Sequence, residues 1–309
     1  MSTTLTQGPN PVPEGDADRS RKKIVTRVSL SILVLALAGL VFGVIVMFGW
    51  MIDETHFDRP TAEFDEFEEH VEALPGVHSV EKERWVEAPT FSNPTSWMSV
   101  TVDDAGLPGL LGAACWTDYP DAITWSIHVR TSAHTEVSLH AEPTAPDSAG
   151  GDADCPDFGL DATRLVEELD RVAPGVAIQP SIWEEGKLAL VVLEEEMPEG
   201  FAPLLPLIER ADDLVAAAGL PETDVVEINS TNLGFILEPG ESDRYLKLLT
   251  ELAEDHSVRS YWADGGGTPI DGVEKVQIVA PDEQHAAIRE LIRSSQLHIA
   301  DLPVRFLEQ

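Results

Sequence analysis

The chain has 309 residues, of which 43% are apolar, and sets 55 Asp and Glu against 20 Lys and Arg for a net charge of −35. That excess repels polyanions, which excludes nucleic acid and anionic lipid headgroups as direct partners and favours cationic ones. Length and apolar content together suffice for a buried core and for two or three domains.

Residues 1–23 open the chain with Ser, Thr, Gly, Pro and too few apolar side chains to pack, so they are expected to form a disordered tail. Arg19, Arg21, Lys22, Lys23 and Arg27 crowd its end, and no charged side chain follows from Val28 to Ile52. At ~1.5 Å per residue a helix of that length exceeds the ~30 Å hydrocarbon layer, which leads to the expectation of one transmembrane helix over 24–52. Basic residues before the span and Asp53, Glu54 and Asp58 after it orient the tail to the cytoplasm and the bulk of the chain outside the cell membrane. Val28 and Ile52 bound this expected anchor in the lipid bilayer, and Trp50 suits its outer interface. A signal peptide ending at Ala36-Leu37-Ala38 competes with this reading, but cleavage there would leave an apolar new terminus. Gly39 and Gly43 have the GxxxG spacing that lets two helices approach, which makes them candidates for a homodimer seam, although glycine is also common in membrane helices.

Beyond residue 53 the hydrophobic period alternates between helix and strand in a recurring order. Phe64, Phe67, Val71 and Leu74 fall on one helical face, Pro75-Gly76 stops the helix, and Val77 to Trp85 reads as a strand followed by another at Trp97 to Val102. The pattern returns with Asp161 as N-cap, Leu165, Leu169 and Val172 as the stripe, Pro174-Gly175 as the stop, and strands at Val176 to Trp183 and Lys187 to Leu193. A third copy starts at Ser242, with strands at Val258 to Trp262 and Val273 to Ala280. A tryptophan closes the first strand of every copy, at 85, 183 and 262. Second helices at Leu107 to Ala114, Ala202 to Ala218 and Asp282 to Arg293 lead to strands at Ile123 to Arg130, Asp224 to Ile228 and Leu297 to Phe306.

This order predicts an α+β protein: a single transmembrane helix followed by tandem ferredoxin-like (βαββαβ) modules with antiparallel sheets. The module boundaries are 53–133, which lacks a clear opening strand, then 134–230 and 231–309. A larger single α+β domain is the alternative.

Cys115 and Cys155 both follow the span, in what that topology makes an oxidising compartment, and a disulfide is expected between them. His134, Glu136 and His140 share strand parity near His128 and are weak candidates for a metal site, without HExxH or Cys-x-x-Cys spacing. Asp152, Asp154, Asp157 and Asp161 miss the EF-hand order, and Gly265-Gly266-Gly267 lies between strands rather than before a helix. No cofactor-binding motif and no nucleophile elbow emerges. The function expected is a non-catalytic envelope protein whose outer domain binds another envelope protein; a tethered hydrolase and an ion- or small-ligand-binding module are the alternatives. In layout, a short basic tail, one span and then α/β modules, the chain resembles bacterial envelope scaffold proteins with POTRA-type modules, which implies a partner-binding role.

Overall fold

The computed structural model describes residues 39–44, 46–47, 56–87, 94–115, 119–141, 155–183, 186–194, 197–221, 225–263 and 273–307. Two compact units divide the chain, one of residues 1–57 with 87–92 and one of 58–86 with 93–309. In the first unit, residues 39–44 and 46–47 are helical, with Leu40, Phe42 and Met47 exposed.

The expected transmembrane helix is corrected here. Among the described residues no helix is long and apolar enough to cross a membrane. Hydropathy alone reads an uncharged run as a span, whereas a span also needs ~20 residues of continuous helix. Val28, Trp50 and Ile52 lie outside the described residues, as do all of 1–38. A Cβ at Gly39 or Gly43 would meet nothing within 4 Å.

The tandem antiparallel modules are corrected as well, because all twelve strands join in one mixed sheet whose spatial order is the order of the chain. They are β1 (His56–Asp58), β2 (Val77–Glu87), β3 (Thr95–Asp103), β4 (Ile123–Arg130), β5 (Glu136–Ala141), β6 (Ala177–Ile182), β7 (Leu188–Val192), β8 (Val226–Asn229), β9 (Leu233–Leu237), β10 (Ser260–Ala263), β11 (Val276–Val279) and β12 (Val304–Phe306). From β2 onward, hairpin-linked neighbours are antiparallel and neighbours linked through a helix are parallel. In a ferredoxin-like module another strand separates each helix-linked pair. Periodicity gives the same elements in both folds and does not encode which strands become neighbours.

Among the described residues, seven α-helices of the second unit supply the crossovers: α1 (Ala62–Glu72), α2 (Leu107–Cys115), α3 (Ala162–Val172), α4 (Leu205–Glu209), α5 (Ala211–Ala217), α6 (Ser242–Glu254) and α7 (His285–Ser294). Thr61 caps α1 by accepting from the Phe64 amide at 3.3 Å, and Asp161 caps α3 by accepting from the Arg164 amide at 3.1 Å. The single helix expected over Ala202 to Ala218 is instead a 3-10 turn followed by α4 and α5, since Pro203 and Pro206 lack amide donors and Arg210 leaves helical geometry. The expected strand from Leu297 begins instead as a 3-10 turn at His298–Asp301, and Pro303 precedes the short β12.

One apolar sheet face carries Val100, Ile127, Leu139, Ile178, Leu190 and Ile278, all fully buried in a single core with the helices. There α3 packs on α5, α4 on α6 and α6 on α7. β5 and β7 run in opposite directions, yet their crossover helices share this face, so the two crossovers have opposite hands and one departs from the right-handed rule. Glycine permits close approach where a β-turn meets the next crossover: a Cβ at Gly106 would fall 2.6 Å from the Pro75 carbonyl oxygen.

Cys115, the last residue of α2, is disulfide-bonded to Cys155 ahead of α3. Bridging a separation of 40 residues restricts the unfolded chain by about 4 kcal/mol on the loop-entropy model.

Candidate functional site

The second sheet face is built from the alternate strand positions and is polar across β2–β5. Register places Glu81 beside Ser99, Ser126 and His140, and Glu83 beside Trp97 and Thr124. Thr101, His128 and Ser138 form the next row, followed by Asp103, Arg130 and Glu136. Hydrogen bonds tie these rows across strands: Trp97 Nε1 donates to Ser126 Oγ at 3.1 Å, Ser126 Oγ lies 3.0 Å from His140 Nδ1, and His128 Nδ1 lies 3.1 Å from Ser138 Oγ. Accepting the indole proton leaves the Ser126 hydroxyl proton to reach the imidazole, so Trp97, Ser126 and His140 form a chain of bonds that fixes the surface.

The repeat tryptophans fall on this face. Trp85 pairs with Thr95 and Trp262 with Gln277, both in the outward set, and Trp183 continues the alternation just past Ile182, where its amide donates to the Lys187 carbonyl at 2.9 Å. None of the three is fully buried, and Trp183 is 40% exposed.

Of the expected metal candidates, Glu136 and His140 do share this face, but His134 sits in the β4–β5 turn at φ 66°. Asp170 anchors that turn by accepting from Thr131 Oγ1, from Ser132 Oγ at 3.3 Å and from the Ala133 amide at 3.2 Å. Among the described residues a different trio, Glu238, Glu241 and His298, brings three ligand atoms within 4.8 Å of one another. Glu241 there accepts from the His298 amide at 3.2 Å and from Arg244 at 3.3 Å, and lies 2.7 Å from His298 Nδ1, so its oxygens already hold the His298 turn against α6. Fifty-seven residues separate that pair, too far for spacing to suggest it. Of the acidic loop residues, Asp157 accepts from the Gly159 amide at 2.8 Å and Asp161 is the α3 cap, while Asp152, Asp154 and the triple glycine lie outside the described residues.

Apart from Arg171 at the surface, the groups with displaced ionisation lie under α1. Burial alone would lower the Lys82 ammonium, but hydrogen bonds to Asp65 at 2.6 Å and contact with Glu68 at 2.7 Å outweigh it and raise the pKa. Arg84, 2.7 Å from Asp121, is raised by the same contest, and burial raises the Tyr119 phenol, which stacks 4.8 Å from Phe64. These contacts close the core beneath α1.

A cleft of about 340 Å³ opens between the loop after β7 and the starts of β9 and β10, lined by Met197, Pro198, Asn232, Arg259, Ser260 and Val279 with Thr231 at its rim. Asn232 braces it, donating to the Met197 carbonyl at 2.7 Å and accepting from Ser260 Oγ at 3.3 Å. Gly200, at φ +76°, passes so near Arg259 that a Cβ would fall 3.0 Å from its carbonyl oxygen. No family model, no curated protein and no solved structure matches the chain.

Proposed function

We propose that the chain is a non-catalytic, extracytoplasmic interaction protein that receives a basic polypeptide segment on the sheet face away from the helices. The observation that carries this reading is the recurrence of tryptophan at the end of the first strand of each copy, at 85, 183 and 262, on that face and never fully buried. Indoles kept partly in water at repeated positions forgo burial that a core would give them, whereas partner surfaces are enriched in them. Trp97 adds a fourth indole to the same face.

The partner's charge follows from its surroundings. Glu81, Glu83 and Glu136 are exposed on this face beside Trp97, against Arg130 there and Arg305 at the β12 edge, within a chain of net charge −35. Arginine or lysine side chains can stack on indole faces and pair with the flanking carboxylates, so a basic segment satisfies both features. The disulfide supports an oxidising, extracytoplasmic compartment.

The test is titration of the full chain with an Arg/Lys-rich peptide, followed by tryptophan fluorescence. Trp183→Ala, at an exposed position, is expected to weaken binding about ten-fold, whereas Glu66→Lys with Glu69→Lys on α1 leaves it within two-fold, roughly. Equal binding by wild type and Trp183→Ala, or equal loss in the α1 variant, contradicts the reading.

A further inference from the structure

The cleft beside Arg259 lies on the same sheet face as Trp262, because Ser260 and Val279 share the outward parity of Trp262 and Gln277. Arg84, Arg164, Arg171, Arg210, Arg244 and Arg293 each pair with a carboxylate. Among the described residues Arg259 makes no ion pair, nor do Arg59, Arg130, Arg289 and Arg305, and of these five Arg259 is the one that lines the cleft. An exposed arginine without a carboxylate partner, lining a braced cleft, can dock an external anion.

The rest of the lining sets the ligand's class. Met197, Pro198 and Val279 present apolar surface, and the side chains of Asn232 and Thr231 are engaged in holding the loop, through the Met197 and Glu194 carbonyls. One cation balances one negative charge, which favours a monoanion over a phosphate dianion; the surrounding acidic field penalises a second charge further. A volume of about 340 Å³ is at the small end of ligand cavities. We propose that this cleft binds a small organic monocarboxylate, with its carboxylate on the Arg259 guanidinium and a short apolar body against Met197, Pro198 and Val279.

Isothermal titration of the full chain with hexanoate, hexanamide and hexyl phosphate, and with a tripeptide bearing a free C-terminal carboxylate, tests the assignment. Hexanoate is expected to bind at least about ten-fold more tightly than neutral hexanamide and more tightly than hexyl phosphate. Arg259→Gln should remove that preference with the fold intact by circular dichroism, and Arg259→Lys should retain part of it. Gly200→Ala, which pushes on the Arg259 backbone, should weaken hexanoate without altering the charge. No saturable hexanoate binding, equal binding of the amide, or unchanged binding in Arg259→Gln overturns the proposal. Tighter binding of the tripeptide than of hexanoate overturns the small-acid assignment in favour of a polypeptide terminus.

Discussion

Single side chains in this protein do their work by satisfying backbone groups where strands turn. Asp170 is the clearest case, since its carboxylate takes Thr131, Ser132 and the Ala133 amide and so holds the turn in which His134 adopts positive φ. Thr131 is buried, and in Asp170→Ala its hydroxyl keeps only the Thr135 carbonyl at 3.0 Å as acceptor, while the Ala133 amide loses the carboxylate. The substitution is expected to cost about 1 to 3 kcal/mol, read as a lower urea midpoint, and Asp170→Asn should recover part of it. No change in midpoint would remove Asp170 from this role. The grouping of His134, Glu136 and His140 as weak metal candidates meets its limit at this same scale. Strand parity was extended through a residue that the turn takes out of the strand.

At the scale of elements, the sequence was most legible where local chemistry decides. Thr61 and Asp161 cap helices, Pro75-Gly76 and Pro174-Gly175 stop them, and Ile123–Arg130 spans the strand read from its alternation. The break of Ala202 to Ala218 was written in Pro203 and Pro206, which the apolar stripe masked. The ionic closure under α1 was not legible, because Lys82 meets Asp65 and Glu68 only after β2 and α1 pack, and Arg84 meets Tyr119 and Asp121 only once the segment ahead of β4 reaches β2.

That closure makes alkaline stability a property of this element pair. Lys82 has its folded pKa raised above 10.5, so its contribution is complete below that value and is lost as pH rises through the folded one. Tyr119 is raised above 10.0 by burial; above that pH the unfolded chain ionises while the fold resists, which also favours unfolding. Both signs agree. The urea midpoint should therefore fall as pH climbs past these values, and fall less steeply in Lys82→Met with Tyr119→Phe. Identical slopes in wild type and the double variant would contradict it.

At the scale of the whole molecule, strand order and the one-sided helix layer were out of reach of periodicity. Helix-linked strands that lie adjacent read the same, residue by residue, as helix-linked strands with a third between them; the difference lies in long-range pairing such as Val137 with Ile178 and Leu190 with Ile228. The recurring tryptophan was visible in the sequence, but its meaning was not. Only the register shows that Trp85 and Trp262 stand away from the helices, among polar neighbours rather than in the core.

Partner contact at the four outward tryptophans is the claim on which the functional account turns. Oxidative footprinting of the full chain, with and without a saturating Arg/Lys-rich peptide, measures it at the side chains concerned. The account predicts that the peptide suppresses labelling at Trp85, Trp97, Trp183 and Trp262 while labelling of helix-surface residues such as Leu246 and Leu291 stays constant. Unchanged labelling of the tryptophans beside bound peptide, or protection confined to the helices, would contradict it.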